Sequence, residues 1–174
     1  MPQPLLLTEG PLVGAQAVVV DERGRVLLQL RLWPAGWEPP GGHIGSGEDP
    51  SLSVMRETQE ETGLQIELER ITGYYQFRGI RRDRDVVFRA RRVGGRLRRS
   101  REAWKLSWVE PDRLPRSLFP WYRQRIEDAL GVPSEEVRER VQQVGPMTVL
   151  GHGLALLGDL AGWLPPRRRR PSSA

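Results

Sequence analysis

At 174 residues the chain is long enough for one domain with a full core, and 38% hydrophobic against 28% charged residues is a globular rather than a disordered balance. It has no cysteine, which excludes disulfides, thiolate metal sites and a cysteine nucleophile. The formal net charge of +5 rests almost wholly on arginine, Lys105 being the only lysine. That surplus is spread over several segments, so it reads as general composition, and nucleic acid is disfavoured as a partner.

Residues 1–13 hold a small cluster, Leu5-Leu6-Leu7, without a basic flank and interrupted by Glu9, which is unlike a secretion signal. A cytoplasmic protein is expected. Residues 14–21 read as a buried strand, 22–24 as a turn, and 25–32 as a second strand, giving a hairpin. A loop with Pro34 and Gly36 follows. Trp37-Glu38-Pro39-Pro40-Gly41-Gly42 is too rich in proline and glycine for a regular central strand and suggests a specially shaped backbone. Asp49 as cap and Pro50 in the first turn start a helix that runs to about Thr62 and ends at Gly63. Leu52, Met55, Gln59 and Thr62 fall on its expected core stripe, with Thr58 beside it.

Three strand-like stretches come next, 64–77, 85–92 and 104–110, joined by basic connections at 78–84 and 93–101. A second helix is expected over 121–130, with Pro120 at its start. The domain is expected to span 1–133. A helical extension over 134–164 would begin with Ser134-Glu135-Glu136 capping a polar helix to about Val144, broken by Pro146. Residues 149–164 are apolar but short and interrupted by His152 and Asp159, so a membrane partner is disfavoured. This segment is expected to pack on the domain or on a second copy in a homodimer. Residues 165–174, with Arg167 to Arg170, read as a disordered tail.

The chemistry lies in residues 42–64. Glu57, Glu60 and Glu61 stand at i, i+3 and i+4, so all three project from one helical face, where like charges repel. A divalent cation would reverse that sign, and carboxylate oxygens are the ligands magnesium or manganese prefer. Arg56 stands beside the cluster with Glu48 as its partner, and Gly41, Gly42, Gly45 and Gly47 let the preceding backbone pass close to a ligand. A solvated acidic helix face is the plainer reading of three glutamates, but it does not explain the glycines and Arg56 at these spacings.

Gly42, Glu48, Arg56, Glu57, Glu60, Glu61, Gly63 and Leu64 fill the pattern G-x5-E-x7-R-E-U-x-E-E-x-G-U, where U is a bulky aliphatic residue. In this the chain resembles the Nudix hydrolases. Thr58 is the one departure, in a slot that faces the core in that family. The resemblance implies an α/β/α sandwich with a mixed sheet, extending over about residues 14–131. It also implies hydrolysis of a nucleoside diphosphate linked to another group, as in a nucleotide sugar, an ADP-ribose-like compound or a nucleoside triphosphate. Glu57, Glu60 and Glu61, with the Gly42 carbonyl, would bind Mg2+, or Mn2+ in its place. Glu57 is the expected proton acceptor, with Glu102 or Asp112 as alternatives. Gly41, Gly42, His43, Arg78 and Arg81 are expected to touch substrate. The sequence Arg78-Gly79-Ile80-Arg81-Arg82 carries neither the proline of ADP-ribose hydrolases nor the tyrosine of diadenosine polyphosphate hydrolases. The alternative, a Nudix-fold regulatory module that binds without turnover, is disfavoured because all the box glutamates are present.

Overall fold

Strand β1 (Leu12–Val20) shows why the protein has three layers. Ala15, Ala17 and Val19 enter one hydrophobic core while Val18 and Val20 enter another, so successive side chains serve opposite faces of one sheet. The computed structural model describes residues 10–101, 103–133 and 137–163. Beyond β1 the strands are β2 (Val26–Leu32), β3 (Ala35–Glu38), β4 (Gly41–His43), β5 (Leu64–Gly79), β6 (Arg84–Gly95), β7 (Ala103–Val109) and β8 (Arg138–Val144). The helices are α1 (Pro50–Thr62), α2 (Pro120–Leu130) and α3 (Pro146–Trp163).

The strands join in the order β3-β2-β1-β6-β5-β8, with β4 added to β1 and β7 to β2. The sheet is mixed: β1–β6 and β5–β8 are parallel and the remaining pairs antiparallel. Helix α1 closes one face through Val54 over Ala15, Ala17, Leu64, Val86 and Phe88. Helix α2 closes the other through Tyr122, Ile126 and Ala129 over Val18, Leu28 and Val87. This is the expected α/β/α sandwich.

One topological detail positions the site. The first half of β1 pairs with β4, as Gly14↔His43, Ala15↔Gly42 and Gln16↔Gly41, whereas its last residue, Val20, pairs with Val26 of β2. The sheet therefore splits between β4 and the β2–β3 hairpin, and α1 runs beneath the split. Helix α1 begins as its sequence requires: the Asp49 carboxylate accepts from the amides of Ser51 and Leu52, and Pro50 needs no partner.

Several expectations need correction. The face that α1 buries is Ser53, Val54, Thr58, Glu61 and Thr62, while Leu52 is exposed and Gln59 faces water. The helix is rotated from the apolar stripe because the glutamate face has to meet β4. Residues 35–38 and 41–43 are strands after all, but β3 is an edge and Pro39-Pro40 lie between the two, where no ladder amide is needed. Residues 138–144 form β8 rather than a polar helix; pairing with β5 from Gly73↔Arg138 to Gly79↔Val144 satisfies the backbone and overrides local preference. The expected cap at Ser134-Glu135-Glu136 and the tail at 165–174 lie outside the described residues.

Helix α3 packs through its polar side. His152 stacks on Phe119 at 4.2 Å between ring centroids, its Nε2 lies 2.8 Å from the carbonyl of Ala35, and the Ser117 amide donates to Asp159 at 2.8 Å. Met147, Val149, Leu150, Leu154 and Leu157 point to solvent. No helix among the described residues is long and apolar enough to cross a membrane.

Candidate active site

The loop between β4 and α1 is drawn onto the helix by Arg56. Its guanidinium grips Glu48 through two bonds, Nε to Oε1 and Nη2 to Oε2, each 3.0 Å. Glu48 in turn accepts from the Gly45 amide at 2.9 Å. The Arg56 guanidinium and that amide hold the Glu48 carboxyl down at about 2, and Arg56 is itself held further toward its charged form. The same guanidinium reaches the helix glutamates, with Nη1 at 2.6 Å from Glu57 and 3.3 Å from Glu60. Arg56 thus offsets the repulsion that the i, i+3, i+4 spacing creates.

Glu61 is the buried member, 8% exposed, and its Oε2 accepts from the Gly41 amide at 2.9 Å. Burial pushes its carboxyl up to about 7 against the opposing Gln29 amide and Gly41 N–H, and the neighbouring Glu57 adds to the rise. Gly41 is sterically required, and Gly42 leaves room for a neighbouring carboxylate. A Cβ on Gly41, whose φ is 142°, would sit 2.3 Å from the Ala15 carbonyl oxygen, and one on Gly42 would sit 2.7 Å from Glu57 Oε2. The Gly42 backbone therefore lies directly against the Glu57 carboxylate. His43 is exposed, and its carbonyl accepts from Ser53 Oγ at 3.2 Å.

Sequence reasoning missed the residues across the split. In the β2–β3 register Gln29 stands opposite Glu38, and Glu38 Oε1 accepts from both Gln29 and Arg31 at 3.3 Å. Glu38 is 5% exposed; burial pushes its carboxyl up to about 7 against the pull of Arg31, and Glu61 adds to the rise. The signal was present, since Gln29 and Arg31 interrupt an apolar strand at alternate positions facing one side.

The other expected residues lie further off. Arg81 is bound to Asp83 and lies over the Phe77 ring at 4.5 Å. Burial works against the Asp83 carboxylate, yet Arg81, its own backbone amide and nearby His43 hold it below its ordinary value. Arg78 lines a separate cavity at the end of β5. Asp112 is exposed beyond Val109, which pairs with Val26, and so lies at the other end of β2 from Arg31. Glu102 lies outside the described residues.

Among the described residues no three acidic or imidazole groups already converge on one point, because Arg56 holds Glu57 and Glu60. The donor set nevertheless suits a hard divalent cation. It offers carboxylate oxygens from Glu57, Glu60 and Glu61, beside a Gly42 backbone held where a side chain would collide with Glu57.

A split mixed sheet with a glycine loop strapped by arginine onto an acidic helix defines a loop–helix hydrolase fold of Nudix type. The NUDIX domain model matches residues 10–129. A MutT-like protein of Streptomyces ambofaciens is 39% identical over 142 residues, covering 79% of this chain and 90% of the relative. Among solved structures, a MutT NUDIX hydrolase from Burkholderia pseudomallei is 28% identical with a TM-score of 0.57, covering 69% of this chain and 98% of its own. An ADP-ribose pyrophosphatase from Streptococcus suis 89-1591, 22% identical with a TM-score of 0.60 over 74% of this chain and 97% of its own, shares the fold. The chain belongs to the Nudix family and is a pyrophosphohydrolase.

Proposed function

We propose that the protein hydrolyses the pyrophosphate bond of a nucleoside diphosphate linked to another moiety, with Mg2+ held by Glu57, Glu60, Glu61 and the Gly42 carbonyl. The observation that carries this reading is the contact between Gly42 and Glu57 beside a Glu61 buried on the Gly41 amide. When bound, the cation supplies charge neutralisation at the phosphates and lowers the pKa of water.

The remaining work falls to the chain's own groups. Arg56 and Glu48 keep the loop closed on the helix and aim Glu57. Glu57 accepts the proton of the attacking water at its carboxylate. Gly41, Gly42 and His43 form the backbone surface along which the phosphates lie, and Arg31 adds a cation across the split. Arg81 and Arg78 bind the substrate beyond the scissile bond. In-line attack on phosphorus needs alignment and charge stabilisation rather than a covalent intermediate, and these groups supply both.

The test is product release from ADP-ribose, nucleotide sugars, dinucleoside polyphosphates and nucleoside triphosphates, with Mg2+ and with chelator, for wild type, Glu60→Gln and Glu61→Gln. Chelator-sensitive hydrolysis of one class, with turnover down at least a hundredfold in both variants, is expected. Turnover that survives both substitutions would overturn the assignment.

A further inference from the structure

Helix α3 turns its apolar side outward. At about 100° per residue, Met147, Leu150, Leu154 and Leu157 share an arc of about 80°, and His152 and Asp159 point the opposite way. The four stripe residues are 76%, 56%, 64% and 64% exposed. His152 and Asp159, which interrupt this apolar segment in the sequence, both face the domain. His152 is stacked on Phe119 and Asp159 accepts from the Ser117 amide, so neither breaks the outer stripe. Between Pro146 and Trp163, Asp159 is the only charged residue. A Cβ on Gly151, Gly153 or Gly158 would meet nothing within 4 Å, so the backbone beside the stripe is bare as well.

An apolar stripe that the fold holds in water marks a surface that meets something else. The residues after α3 identify its chemistry. Residues 164–174 hold four arginines, Arg167 to Arg170, and no acidic residue. The first of them is four residues beyond Trp163, a reach of at most about 14 Å. A cluster of basic residues next to an amphipathic helix complements the negative charge of a lipid headgroup layer, where binding strength grows with buried apolar area and with electrostatic attraction together. In a free interfacial helix the charged face lies on water; here the domain occupies that side, and the charge follows the helix in sequence. A second copy fits less well, since a stable dimer engages roughly 20–30 residues a side and this stripe has four.

We propose that α3 seats the protein on an anionic lipid surface, with Met147, Leu150, Leu154 and Leu157 entering the boundary between headgroups and acyl chains and Arg167 to Arg170 meeting the anionic headgroups. The helix, about 27 Å along its axis, lies in the plane of the surface rather than crossing it. The seat does not depend on the hydrolase reading above, because it uses no residue of the split or of α1.

Vesicle flotation of the full chain tests this, on phosphatidylcholine alone and on phosphatidylcholine with about one-third phosphatidylserine. Partition onto the anionic vesicles should be at least tenfold stronger. Leu150→Gln with Leu154→Gln, both at exposed positions and checked for folding by circular dichroism, should lower that partition tenfold or more. Arg167→Ala, Arg168→Ala, Arg169→Ala and Arg170→Ala together should bring it down to the level on phosphatidylcholine. Light scattering without lipid should give the same size for wild type and the leucine variant, because the stripe is free in solution. No partition, equal partition onto both vesicles, or full partition in either variant would overturn the seat. So would a dimer that the leucine substitutions dissociate, which would give the stripe to a second copy.

Discussion

Thr58 shows how one atom can sit at odds with its surroundings. It occupies an aliphatic slot of the Nudix pattern, is 0% exposed, and its Oγ1 is buried without a partner. Replacing an unmet hydroxyl with a methyl of the same shape removes a desolvation cost while keeping the packing. Thr58→Val should therefore stabilise the fold by about 1 kcal/mol in urea denaturation. A lower urea midpoint would mean that the hydroxyl has a use the structure does not reveal. Gly42 is the opposite case, a position where one added methyl would push the Glu57 carboxylate aside. Glu57, Glu60, Glu61 and Arg56 were legible because their spacing along one helix sets their geometry, and the glycines because they cluster just ahead of it. The meeting of Glu38 with Arg31 was not, although Arg31 breaks an apolar strand, since the two come together only through the register of two strands across a turn.

Among the elements, α2 meets the sheet through a fully buried cation as well as through its apolar face. Arg125 is 0% exposed, 2.7 Å from Asp85 on β6, and donates to Gln142 on β8 at 2.8 and 3.1 Å. The rings of Tyr75, Phe77 and Tyr122 enclose it at 4.8, 4.9 and 5.2 Å. Truncating one member of a buried pair leaves the other charged and unpaired, at a cost of roughly 3–5 kcal/mol. Arg125→Met should lose that much, and adding Asp85→Asn should restore part of it, so the double variant costs less than the sum. Strict additivity would show that the pair is not coupled. The same contacts explain why β8 escaped sequence reading. Its residues alternate as Arg138, Arg140 and Gln142 against Glu139, Val141 and Gln143, with little apolar periodicity. Its partners are Asp128 and Arg125 on a helix rather than a hydrophobic layer. By contrast β1 and β2 were legible because their own patterns demand burial, and the ends of α1 because Asp49, Pro50 and Gly63 mark them.

Across the whole molecule, acidity and stability are linked through the pair of buried carboxylates at the split. The folded pKa of Glu38 and of Glu61 is about 7, above the ordinary 4.5. A raised folded pKa contributes stability that is fully present below about 4.5 and is lost as pH rises through about 7. Carboxylates held low, such as Glu48, Asp83 and Asp128, lose their contribution only as pH falls below their ordinary values, near 4, so the window above is undisturbed by them. The metal-free protein should thus be more stable at pH 5.5 than at pH 8.5, by on the order of 3 kcal/mol. Glu38→Gln should flatten that slope, and a variant as pH-sensitive as wild type would remove Glu38 from the account.

The place of β8 has a further consequence, for the order in which the protein can be completed. A ribosome that has released residues through Leu130 has delivered both partners of the Arg125–Asp85 pair and seven of the eight strands among the described residues. The edge of β5 from Gly73 to Gly79 is then still open, and two donors of a guanidinium destined for the interior have only water to meet. An open edge is a template for pairing with another chain. The nascent protein carries that hazard until its last strand emerges, and ending synthesis where the Nudix match ends, at residue 129, would make the hazard permanent.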